Sequence, residues 1–79
     1  MNAMQEIKLN TKGRIVQGLH VGRYIEVIDD TDNTGGFYVF QSTTETFDEC
    51  FDDWMQTWEL VEQHFMYWEW EIEWLESAE

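Results

Sequence analysis

The chain has 79 residues: 17 acids against four Lys or Arg, a formal net charge of −13, five Trp, three Tyr, five Phe, one cysteine and no proline. The lone Cys50 excludes an internal disulfide framework. No apolar run approaches the roughly 18 residues of a membrane span, and "MNAMQEIKLN" lacks the apolar stretch of a signal peptide, so a single cytoplasmic domain is expected.

Residues 1–12 are polar and expected to be loose. "RIVQGLH" (14–20) reads as a strand weakened by Gly18. "RYIEVID" (23–29) alternates, setting Ile25 and Val27 on one face and Tyr24, Glu26 and Ile28 on the other. "DDTDNTGG" (29–36) is a cluster of turn formers, and "FYVFQS" (37–42) is a third strand, so 23–42 is a hairpin with a long loop.

A helix is expected over "TFDECFDDWMQTWELVEQHF" (46–65). Its apolar residues Phe47, Phe51, Trp54, Trp58, Val61 and Phe65 are spaced 4, 3, 4, 3, 4. On a helical wheel they fall within about 80°. Thr46 with Glu49 makes a capping box, and Asp48 and Glu49 suit the first turn.

"WEWEIEWL" (68–75) has period two. As a strand it puts Trp68, Trp70, Ile72 and Trp74 on one face and Glu69, Glu71 and Glu73 on the other. As a helix it would scatter both sets around the circumference. The strand is preferred, although "MYW" offers no Gly or Pro to stop a helix, and continuation to Leu75 is the alternative. The expected architecture is α+β: a small two-layer domain, β-β-β-α-β, with a mostly antiparallel sheet and one helix on one face.

Candidate chemistry is sparse. Asp30, Asp32, Thr34 and Gly35 match the first positions of a calcium loop, but its last ligand would be Gln41, which has no carboxylate, and the flanks are strands. The better reading is a hairpin loop in which Asp and Asn cap turns and Gly35 and Gly36 take positive φ. Cys50 reads as a small buried hydrophobe on the rim of the helix stripe. His20 and His64 lie in no ligand-spaced motif, and His64 suits a helix C-terminus. No nucleophile motif, phosphate loop or dinucleotide fingerprint occurs, and the acids map to wet faces rather than to a cleft. No enzyme, metal site or cofactor is expected.

The charge distribution is the informative feature. All four bases (Lys8, Lys12, Arg14, Arg23) lie within residues 1–23, whereas 24–79 carries sixteen acids and no Lys or Arg. That field disfavours direct nucleic-acid and membrane binding and favours a cationic partner. On the expected helix, Glu49, Asp52, Asp53, Gln56 and Glu59 line the outer face with Leu60 among them, and no base stands at i+4 to pair with them. These residues, with Glu69, Glu71 and Glu73, form the candidate surface for a basic protein partner such as a nuclease or toxin. The alternative is a structural or solubility-driven acidic domain with at most weak divalent-cation binding. A sheet edge, that of the third strand, is open to pairing with a second copy.

The layout "DDTDNTGGFYVF", then "FDDW", then "WEIEW" resembles small uncharacterised bacterial proteins, some grouped with toxin-immunity families. It touches residues 23–75 and implies an immunity-type or inhibitor-type binding role. No functional residue is carried over by it.

Overall fold

In the computed structural model, residues 6–75 are described. The elements are β1 (Lys12–Gln17), β2 (Tyr24–Asp30), β3 (Gly36–Ser42), β4 (Cys50–Met55), α1 (Trp58–Tyr67) and β5 (Glu71–Trp74). The strands form one antiparallel sheet in the order β4-β3-β2-β1-β5. The class is α+β with one helix, as expected. Its element order is β-β-β-β-α-β.

Alternation builds the core. Ile25 and Val27 on β2 are fully buried, while Tyr24, Glu26 and Ile28 between them are half-exposed. Val27 stands directly opposite Val39, and Ile15 opposite Ile72, so each contact is a cross-strand pair on the same face. Val61 and Phe65 from α1, with Trp70, close this face. Each such side chain, fully buried, contributes about 1.5–3 kcal/mol. Trp58 anchors the start of the helix, its ring 5.4 Å edge-on from Phe37.

The β2–β3 turn behaves as a turn. The backbone N–H groups of Asn33 and Thr34 both donate to the Asp30 carbonyl. The Asp29 carboxylate accepts from the Thr31 N–H at 3.0 Å and its hydroxyl at 2.7 Å, which together hold the Asp29 carboxyl below its usual range. Gly35 has φ +86°; Gly36 does not share that conformation and instead opens β3.

The helix is where the sequence misleads. Only Trp58–Tyr67 is helical, and its N-cap is Thr57, whose hydroxyl accepts from the Leu60 N–H at 3.2 Å; the Thr46–Glu49 box caps nothing. Residues 43–49 are a loop and Cys50–Met55 is a strand. Of the expected stripe, Trp58, Val61 and Phe65 do face the core. Phe51 and Trp54 are instead 59% and 45% exposed, and Phe47 is half-buried in the loop. Cys50, expected to be buried, is exposed. The reason is tertiary. Without β4 the outer edge of β3 would leave its backbone groups unpaired, and all six residues of β4 match β3 one to one. Two side-chain bonds secure the change: Trp54 Nε1 donates to Thr34 Oγ1 at 2.8 Å, and Ser42 Oγ to the Glu49 carbonyl at 2.8 Å.

Helix α1 ends without glycine. The Glu69 N–H donates to Met66 O at 3.1 Å and the Trp70 N–H to Phe65 O at 3.1 Å, the paired bonds of a Schellman turn. Glu69 takes the left-handed position, with φ 59°. Trp70 then packs edge-on against Phe65, ring centroids 5.1 Å apart. Its indole N–H donates to the Leu19 carbonyl at 2.7 Å. Period two therefore prevails in the C-terminal segment: Trp70 and Ile72 are buried, Glu69, Glu71 and Glu73 exposed, and Trp68 and Trp74 half-buried. The regular strand is shorter than expected, 71–74. At the other end, residues 1–5 lie outside the described part. Within 6–11, Glu6 O accepts from Trp74 Nε1 and the Asn10 N–H donates to Val27 O.

Candidate binding edge

Strands β4 and β5 occupy opposite borders of the sheet, so the acids expected on one surface stand on two. Asp52 and Asp53 are on β4, Glu49 directly precedes it, and Glu59 and Leu60 are in the first turn of α1, which follows it. Glu71 and Glu73 are on β5, and Glu69 is in the turn before it. The single acidic face anticipated from a helix and a final strand is thereby corrected: a strand, not a helix, carries Asp52 and Asp53, and the β5 glutamates are remote from them across three intervening strands.

Register assigns each β4 side chain to a face. Asp53 is opposite Val39, and Phe51 opposite Gln41, on the helix-covered side; Asp52 is opposite Phe40, and Trp54 opposite Tyr38, on the open side. Each side therefore shows one carboxylate and one exposed ring. Tyr38 and Phe40 stack at 5.5 Å behind them, extending the open aromatic surface inward. Leu60, 42% exposed, lies one helical turn before His64. His64 in turn faces Asp53, Nε2 to Oδ2 3.9 Å, too long for a hydrogen bond. Burial pushes the His64 imidazole below its ordinary range, and the Asp53 carboxylate pulls it partly back. Trp70, at 5.3 Å, and Trp68, at 6.0 Å, wall the imidazole edge-on, and its Nε2 is buried without a hydrogen-bond partner.

Among the described residues, no Lys or Arg is ion-paired with an acid of this border. Arg14 is 3.9 Å from Glu73 at the opposite edge, and Lys12 donates to the Glu45 carbonyl at 3.3 Å while lying 5.2 Å from the Phe47 ring centroid. Arg23 stacks on Phe51, 5.4 Å from its centroid. Asp52, Glu49 and Glu59 have no ion-pair partner among the described residues. The rings at Phe51 and Trp54 were read in the sequence as core. Both rings instead stand exposed on the edge strand; Phe, Asp and Trp are all indifferent helix formers, a weakness legible in the sequence.

Among the described residues, no group of three or more His, Cys, Asp or Glu side chains is arranged to hold a metal ion. None of the described helices is long and apolar enough to cross a membrane. The fold and its edge thus define a small α+β domain with an aromatic, acidic sheet border. No protein-family model, curated protein or solved structure matches the chain.

Proposed function

We propose that this chain is a small acidic binding protein, of immunity or inhibitor type, that masks a basic surface on a bacterial protein partner such as a nuclease or toxin. The observation that supports the reading is the β4 border. Exposed Phe51, Trp54 and Leu60 stand among Glu49, Asp52, Asp53 and Glu59, and three of those acids have no ion-pair partner among the described residues. Rings and a leucine supply apolar anchors, and the carboxylates supply the field that steers a cationic partner. A groove built to attract phosphates meets a similar field here, so association should be fast and salt-sensitive. The glutamates of β5 carry less of this argument, since Glu73 is engaged with Arg14 and the strand bears no exposed ring beside them. Solubility is sufficient cause for those.

The test is capture from bacterial lysate on the immobilised protein at low and at high salt, followed by kinetics with the captured protein. Replacing Asp52, Asp53 and Glu59 together by Asn or Gln should slow association and flatten its salt dependence. Leu60→Ala should mainly speed dissociation. Equal capture by the triple variant, or capture of no basic protein, would leave solubility as the reason for the acids.

A further inference from the structure

We propose that the outer edge of β4 receives one extended strand of the partner, whose side chains read apolar–basic–basic–apolar opposite Phe51, Asp52, Asp53 and Trp54. The inference rests on the basic-partner reading above and sharpens it to a mode of recognition.

The backbone comes first. β4 pairs residue for residue with β3 from Cys50 to Met55, without a bulge, and among the described residues no strand pairs with its other side. Alternate N–H and C=O groups therefore point outward in a regular row, a template for a further strand. The opposite border is not such a template. β5 has only four residues, its pairing with β1 is broken by a register shift between Ile15 and Gln17, and Glu71 and Glu73 stand exposed on it. Short length, irregular pairing and charge are the usual means by which an edge is closed to additional strands. β4 has none of the first two.

Side chains then fix the chemistry. In an antiparallel addition, residues directly opposite share a face and their Cβ atoms come within about 4.5–5.5 Å. The helix side of β4 offers Phe51 and Asp53; the open side offers Asp52 and Trp54. A complementary strand thus needs one base and one apolar residue on each face, which along the chain places two adjacent bases between two apolar residues. A second copy of this chain does not meet the requirement. Any register centred on β4 sets aspartate against aspartate across the new ladder, and like charges directly opposite are destabilising.

The probe is a blocked peptide, Thr-Val-Lys-Arg-Val-Thr, titrated into the intact ¹⁵N-labelled protein at about 20 mM salt, where surface charge is little screened. Strand addition should shift the amides of residues 50–55 selectively and slow exchange of alternate ones by at least about tenfold. Two further peptides carry N-methyl groups on alternate backbone nitrogens, in one phase or the other. One phase removes the donors facing β4 and should weaken binding by about tenfold or more, and the other should bind within about twofold of the parent. Asp52→Asn with Asp53→Asn should weaken the parent peptide and spare the fold. If both methylated peptides bind like the parent, attraction of bases to the edge stands and strand addition is overturned. If no peptide in the set binds, strand addition is overturned while the lysate capture above still decides the broader reading. A protein that is dimeric alone, with β4 amides already protected, would assign the edge to a second copy and overturn the proposal likewise.

Discussion

β4 and β5 border the same sheet, flank the same helix in sequence and run in the same direction, each antiparallel to its own neighbour. One is nearly all surface and the other is anchored in the core. From Cys50 to Trp54 every residue of β4 is exposed, and it is held by ladder bonds, by Trp54 on Thr34 and by half-buried Met55 at its end, which packs against the core. β5 has fewer residues but inserts Ile72 directly opposite Ile15, and the turn feeding it locks Trp70 beneath the helix. Hydrogen bonds position both edges; buried apolar area makes one of them structural. The longer, more regular strand is therefore the one free to do something else.

The largest test of that contrast compares two tryptophans. Trp70→Ala should cost about 3–5 kcal/mol, since a 7%-exposed indole and its bond to Leu19 O are both lost, while Trp54→Ala should cost about 1 kcal/mol. Urea unfolding followed by circular dichroism measures both. Equal costs would mean that β4 is as structural as β5.

Next comes the turn that holds Trp70. Gly18 has φ +100°, and a Cβ there would sit 2.4 Å from the Glu69 carbonyl oxygen. Gly18→Ala should cost about 2 kcal/mol or more, because backbone rather than a flexible side chain blocks it. A melting temperature within a degree of the parent would show that this docking is soft. In the facing α1–β5 turn, Glu69→Gly should gain about 0.5–1 kcal/mol by relieving a left-handed residue of its Cβ. A loss in the same unfolding assay would mean that the Glu69 side chain stabilises the turn.

Charge effects are smaller. Raising salt from about 10 to 300 mM should raise the melting temperature by screening repulsion among the acids. Asp52→Asn with Asp53→Asn should lessen the salt effect more than Glu71→Gln with Glu73→Gln, because Glu73 has Arg14 nearby. An unchanged salt response in the β4 variant would place the repulsion elsewhere.

The pH dependence isolates His64. Its folded pKa lies below the ordinary 6.5, with burial the larger cause, so the unfolded chain takes the proton more readily. Stability from the neutral imidazole is complete above about pH 6.5 and is lost as pH falls toward the folded value. The difference in melting temperature between the parent and His64→Gln should therefore narrow or reverse below that pH. A difference constant from pH 5 to 8 would mean that Asp53 offsets the burial fully.

Much was legible in the residues alone because the relevant physics is local. Alternation in "RYIEVID" set one strand and its inward face, "FYVFQS" read as a second strand, Asp and Gly marked the turn between them, and period two in "WEIEW" separated buried Ile72 from wet Glu71 and Glu73. Trp58, Val61 and Phe65 carried the helix for the same reason. What the sequence could not decide was 46–56. There, helical spacing of Phe47, Phe51 and Trp54 competed with an unpaired edge on β3, an interaction between residues far apart along the chain. The edge prevailed because six ladder pairs with β3 outweighed the preference of a short segment rich in indifferent helix formers. That one tertiary choice turned three expected core rings outward or into a loop. It also moved Asp52 and Asp53 from a helix face to a sheet border, and divided the acidic surface between two edges of the molecule.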